Sequence, residues 1–111
     1  GEPSAVEKIL TSRKVMVALA LFDGQETYRG HNTQDLARLA GILDENRKYV
    51  LSPPVYAGLT LYTTQAHETK SERSLERVQT LIGKLQVAYL KADEKERGKY
   101  FDALRCLGAQ P

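Results

Sequence analysis

The stretch NTQDLARLAGILDENRKYVLSPPVYAGLTLYTTQAHETKSERSLERVQTLIGKLQVAYL, Asn32 to Leu90, reads as a helix, an extended segment and a long helix in succession. Asn32 can accept the free amide protons of a first helical turn, and Asp35 sits where the helix dipole favours negative charge. Leu36, Leu39, Ala40 and Leu43 then recur at helical spacing, with Asn46-Arg47-Lys48 as a cationic close. Pro53-Pro54 cannot donate to a ladder, so the strand is placed after it, from Val55 to Thr64. Val55, Ala57, Leu59 and Leu61 would face a core, and Tyr56, Thr60 and Tyr62 the opposite side. Gln65 to Lys70 reads as a polar loop. Thr69 with Glu72 has the spacing of a capping box, opening a helix with Leu75, Val78, Ile82, Leu85 and Tyr89 on one stripe.

Outward from this stretch, Glu2-Pro3-Ser4 is a helix start followed by the apolar Val6, Ile9 and Leu10. Val15 to Phe22 alternates large aliphatic with mostly small residues, the pattern of a strand buried on both faces. Its alanines and leucines also suit a helix. Asp23-Gly24 signals a tight turn, and Gln25 to Arg29 would return as a second strand. Gly24, Gly30 and Gly41 read as turn or packing glycines. Asp93 to Glu96 repeats a cap, with Tyr100, Phe101, Leu104 and Leu107 inward and Gly108 and Pro111 ending the helix. The expected fold is therefore α+β: one domain over residues 1–111, a small, mainly antiparallel three-stranded sheet covered by about four helices.

The bulk properties constrain function by exclusion. A chain of 111 residues with 41% apolar and 27% charged residues can bury a core without metals or disulfides. With 16 basic against 14 acidic residues, it lacks the strong basic excess usual in nucleic-acid binders. Cys106 is the sole cysteine, so it forms no intrachain disulfide; beside Leu104 and Leu107 it reads as a small hydrophobe. The longest apolar run, Val15 to Phe22, is too short to span a bilayer. His31 and His67 lie far apart with no second ligand at metal spacing, and no phosphate loop or nucleophile elbow occurs. No cofactor, metal or catalytic residue is assigned. Leu36 to Ile42 has the form of the second helix and turn of a helix-turn-helix, but the double proline stands where a recognition helix should run.

Phe22-Asp23, the helix with Leu36, Leu39 and Leu43, the segment ending in Gly58-Leu59-Thr60, and Ser71 to Val78 follow the order and approximate spacing of an OmpA-like domain. The chain resembles that family over roughly Val15 to Leu85. The resemblance implies a βαβαβ periplasmic module that holds peptidoglycan, in a protein whose leader or lipid anchor would precede Gly1. It departs at the binding aspartate, which falls on Leu61, at the binding arginine, which falls on Ser74, and at the final strand, for which Leu90 to Pro111 offers no match.

The leading functional expectation is a non-catalytic protein-interaction or assembly module, with a bacterial cell-envelope complex as the setting the resemblance implies. Tyr56, Thr60, Tyr62, Arg73 and Arg77 are its candidate interaction residues. The alternative is a small nucleic-acid-binding domain that stacks bases on the Tyr/Thr strand face and uses Arg73, Arg77 and Lys84 for phosphates. A third reading is a small enzyme using His67 and Glu68. Mixed charge around Arg73, Arg77, Lys84 and Lys91, interleaved with Glu72 and Glu76, reads as a solvated helix face. Partner, compartment and oligomeric state carry no signal in the sequence.

Overall fold

A computed structural model describes residues 4, 5, 8 and 12–111. The expected N-terminal apolar face of Val6, Ile9 and Leu10 lies outside the described residues. The described chain is mainly helical, with five helices and a two-stranded hairpin. In order these are α1 (Arg13–Phe22), β1 (Thr27–Tyr28), β2 (His31–Asn32), α2 (Thr33–Leu39), α3 (Pro53–Thr69), α4 (Glu72–Lys91) and α5 (Glu94–Cys106). The three-stranded sheet expected from the sequence, and implied by the OmpA-like resemblance, is not formed: two of its three strands are helices.

Val15 to Phe22 is one of them. Ser12 caps α1 by accepting a hydrogen bond from the Val15 amide at 3.3 Å. Val15, Ala18 and Phe22 are fully buried along one helical face. The helix ends in a Schellman motif, with the Gln25 amide donating to Ala20 O at 3.1 Å and the Gly24 amide to Leu21 O at 3.0 Å. Gly24 holds φ +71°, a conformation that costs a side-chain-bearing residue about 1–2 kcal/mol. Asp23-Gly24 thus turns the chain out of a helix. The tight hairpin comes later, where Thr27 pairs with Asn32 and Tyr28 with His31 around Arg29-Gly30.

Val55 to Thr64 is the second correction. The double proline starts α3, occupying its first turn, where missing amide protons leave no donor unsatisfied. Val55, Leu59, Tyr62 and Ala66 form its buried stripe, with Gly58 and Thr63 beside it. A strand and a helix both place residues i and i+4 on one face, so Val55 and Leu59 fit either pattern. Tyr62 and Ala66 break the tie. The segment from Gln65 onward, expected as a loop, continues α3 to Thr69, whose hydroxyl bonds back to Gln65 O at 2.8 Å. Thr69 therefore cannot cap the next helix; Ser71 does, accepting from the Ser74 amide at 3.2 Å.

The remaining helices are closer to expectation. Asn32 caps α2 through the Asp35 amide at 3.0 Å, but α2 stops at Leu39, which is 86% exposed where the sequence pattern placed it inward. Gly41 closes it, and Asn46 to Lys48 belongs to a separate loop. α2 packs chiefly on α1 and β2, so it does not lie across α3 as in a helix-turn-helix. Asp93 caps α5 at the Glu96 amide at 2.8 Å, with Leu104 and Leu107 buried, Tyr100 half-buried and Phe101 largely exposed.

The core is continuous. α1 lies along α3, α4 and α5 form an antiparallel helical hairpin, and α3 touches both. Phe22, Leu59, Leu81, Leu85 and Leu104 fill the space between them. Each such side chain contributes about 1.5–3 kcal/mol on burial.

Candidate functional site: a basic cleft beside α4

The tyrosine face expected of a strand does not exist. Tyr62 is buried, Tyr56 half-buried and Thr60 exposed: on a helix Tyr56 and Thr60, four apart, share the side toward α5, and Tyr62 points elsewhere. Tyr56 donates its hydroxyl to Lys99 O on α5 at 3.3 Å, so it helps join α3 to α5. Thr60 sits beside Asp102, Arg105 and Cys106 in a shallow depression.

Tyr62, Arg73 and Arg77 do converge, at the C-terminal end of α1. Tyr62 donates to Asp23 Oδ1 at 2.8 Å, and Arg73 donates to the same oxygen at 2.5 Å and to Asp23 O at 2.6 Å. Arg77 Nε donates to Phe22 O at 3.0 Å. Two guanidinium groups thus meet the negative end of the α1 dipole and its orphan carbonyls. Burial pushes the Asp23 carboxyl up. Hydrogen bonds from Gln25, Tyr62 and Arg73, with the Arg73 charge, more than offset that and hold it below its ordinary value. Burial first, then the Asp23 carboxylate, raises the Tyr62 phenol. This cluster is committed to the fold.

The available binding surface lies on the other side of Arg77. Arg77, Lys84 and Lys91 are spaced seven apart on α4, so they form one stripe, drifting about 20° per heptad. By helical rise the stripe runs about 21 Å. Across from it, the loop after α2 presents Arg47 and Lys48. Asp44 holds that loop: its Oδ1 accepts from the Asn46 amide at 2.8 Å and the Lys48 amide at 2.9 Å. The turn places Arg47 at φ +62°, a left-handed conformation that most non-glycine residues avoid.

Between loop and helix lies a cleft of about 540 Å³, with Arg47, Lys48, Lys84 and Lys91 on its walls. Leu85, Val87, Ala88 and Tyr100 supply an apolar floor. Two acids, Asp93 and Glu96, stand at one end. Asp93 is engaged as a helix cap and Glu96 pairs with Lys99 at 3.4 Å. Among the described residues the other ion pairs are Arg38–Asp35 and Arg73–Asp23, so no cation of the cleft has a carboxylate partner. A second pocket of about 430 Å³ continues from the first, sharing Arg47, Tyr49 and Lys84 and adding Arg77. Tyr49 packs edge-on against Phe22 at 5.5 Å between ring centroids, and burial raises its phenol while the Arg77 charge opposes the rise.

The sequence offers Arg77 as an interaction candidate, and Arg77 with Lys84 as phosphate contacts in the nucleic-acid alternative, while the mixed charge around them and Lys91 reads as a solvated face. Their seven-residue spacing was the available signal, with Glu72 and Glu76 falling off the stripe. Arg47 and Lys48 carried no such signal, since only the tertiary fold brings their loop to α4. His67 and Glu68 are exposed neighbours near the end of α3, and adjacent helical positions diverge. Cys106 is half-buried with its thiol free. No group of three or more His, Cys, Asp or Glu side chains is placed to hold a metal among the described residues. No helix of the described residues is long and apolar enough to cross a membrane. Comparison with protein-family models, curated proteins and solved structures finds no match for this chain.

Proposed function

We propose that this domain is a non-catalytic interaction module that captures an acidic, partly apolar segment of a partner protein in the cleft beside α4. The observation that carries it is the set of four cations, Arg47, Lys48, Lys84 and Lys91, that lack carboxylate partners among the described residues and flank an apolar floor. Like charges gathered on one groove repel each other, and an anionic ligand relieves that repulsion. Val87, Ala88 and Tyr100 give apolar side chains of the same segment a place to bury. A single nucleic-acid strand fits less well. Tyr49, the aromatic shared by both pockets, is packed edge-on against Phe22, which leaves Tyr100 as the single other ring of the cleft, fewer than a run of stacked bases would use.

The test uses a synthetic helical peptide of alternating Glu and Leu faces, a 15-nucleotide oligothymidylate and a Lys-based peptide of equal length. Binding is followed by anisotropy and by amide NMR shifts. The acidic peptide should bind and perturb the Arg47–Tyr49 loop and the Lys84–Lys91 face, weakening as salt rises. Lys84→Glu with Lys91→Glu should weaken it about tenfold or more, since two attractions become repulsions. Tighter binding of the oligonucleotide, or indifference to the double charge reversal, would overturn the proposal.

A further inference from the structure

We infer that the second pocket receives a phosphate monoester dianion, carried as a phosphorylated side chain on the acidic segment that the cleft holds. The inference rests on the cleft being that segment's seat and shares Arg47 and Lys84 with it; Arg77 and the polar residues around it are what the pocket adds. Arg77 reaches the pocket in a fixed pose. Its Nε is tied to Phe22 O, and its guanidinium lies over Gly24, where an added Cβ would stand 3.1 Å from Cζ. Its two terminal nitrogens make no hydrogen bond among the described residues, which leaves the fork free toward the pocket. Lys84 stands two turns on along the same face of α4, and Arg47 faces them from the Asp44 loop.

The rest of the lining is suited to the same ligand. The Gln34 amide and the Tyr49 hydroxyl can donate, Gln25 keeps one Nε2 proton beyond the one given to Asp23, and the Asn32 oxygen is already used as a cap, leaving its amide protons to donate. Glu26 is the one carboxylate in the lining, against three cations. That balance matches a dianion with three acceptor oxygens better than a carboxylate, which neutralises a single charge.

The test has two arms on the full chain. In the first, inorganic phosphate is titrated while arginine Nε–H and glutamine side-chain NMR signals are followed, with sodium chloride at matched ionic strength as the reference. Phosphate should shift Arg77, Gln25 and Gln34 beyond the chloride response. In the second, two acidic peptides identical except for serine or phosphoserine are compared. Phosphoserine should tighten binding about tenfold or more, the size expected of new charge-assisted hydrogen bonds. Arg47→Gly and Lys84→Ala should each remove most of that gain while the amide spectrum elsewhere stays unchanged, and Arg38→Ala should keep it. No phosphate-specific shift, or an equal gain in the variants, overturns the inference even if the plain peptide binds and the cleft reading stands. Phosphate shifts without any gain for the phosphopeptide overturn it too. A phosphopeptide gain without measurable binding of the plain peptide supports the pocket and counts against the cleft.

Discussion

Asp23 is where three helices are tied together by one carboxylate. It ends α1, accepts from Tyr62 of α3 and Arg73 of α4, and is joined at its second oxygen by Gln25 at 3.0 Å. Arg73 is largely exposed, so its ion pair is discounted by solvent screening. The Tyr62 hydrogen bond is shielded and is the larger contributor. Tyr62→Phe should therefore cost about 1.5–3 kcal/mol in chemical denaturation, the range for a hydrogen bond to a charged group. The pH dependence has a definite sign. A carboxyl held below its ordinary value of 3.8 in the folded state adds stability that is present above that value. The contribution is lost as pH falls through the lower folded value. Denaturation of the parent and Asp23→Asn should thus differ most above the ordinary value and converge in acid. A constant difference across that window would remove Asp23 from this role.

At the scale of elements, the closest contact is between α1 and α3, and Gly58 permits it. A Cβ on Gly58 would lie 3.1 Å from both Ala18 Cβ and Phe22 Cε2, two fully buried neighbours with little room to yield. Gly58→Ala gains about 1 kcal/mol of helix propensity but overpacks the core at about 1–3 kcal/mol. A net loss of about 1 kcal/mol is expected by urea denaturation; a gain would show that the two helices can separate without cost. Element readings failed where local patterns were degenerate. Val15 to Phe22 satisfies both periods: its large aliphatic residues alternate with mostly small ones as in a strand, while Val15, Ala18 and Phe22 also share one helical face. Pro53-Pro54 was read for what it forbids in a strand, although the first turn of a helix accepts it. Caps were more legible: Asn32 and Asp93 act where their spacing placed them, while Thr69 yields to Ser71 because α3 outlasts its expected end.

At the scale of the molecule, a single core passes from α1 and α3 through α4 to α5, so the domain should unfold as one unit. Leu104, fully buried on the last helix, tests this. Leu104→Ala should cost about 2–5 kcal/mol. It should shift far-UV ellipticity, which reports all the helices, and the amide NMR signals of α1, which lies far along the chain from α5, to the same new midpoint. Separate midpoints would mean that α5 detaches first. The sequence by itself determined three of the helix starts or stops (Asn32, Asp93 and Gly108), the apolar stripe of α4 and the cations spaced along it, because capping and helical period are local properties. Only the tertiary structure decided that Val15–Phe22 and Val55–Thr64 are helices, since burial on α3 and α1 chooses between two periods that share their strongest positions. It alone also turned Tyr62, Arg73 and Arg77 into the clasp on α1 and brought Arg47 to face Lys84, because those encounters join residues remote along the chain.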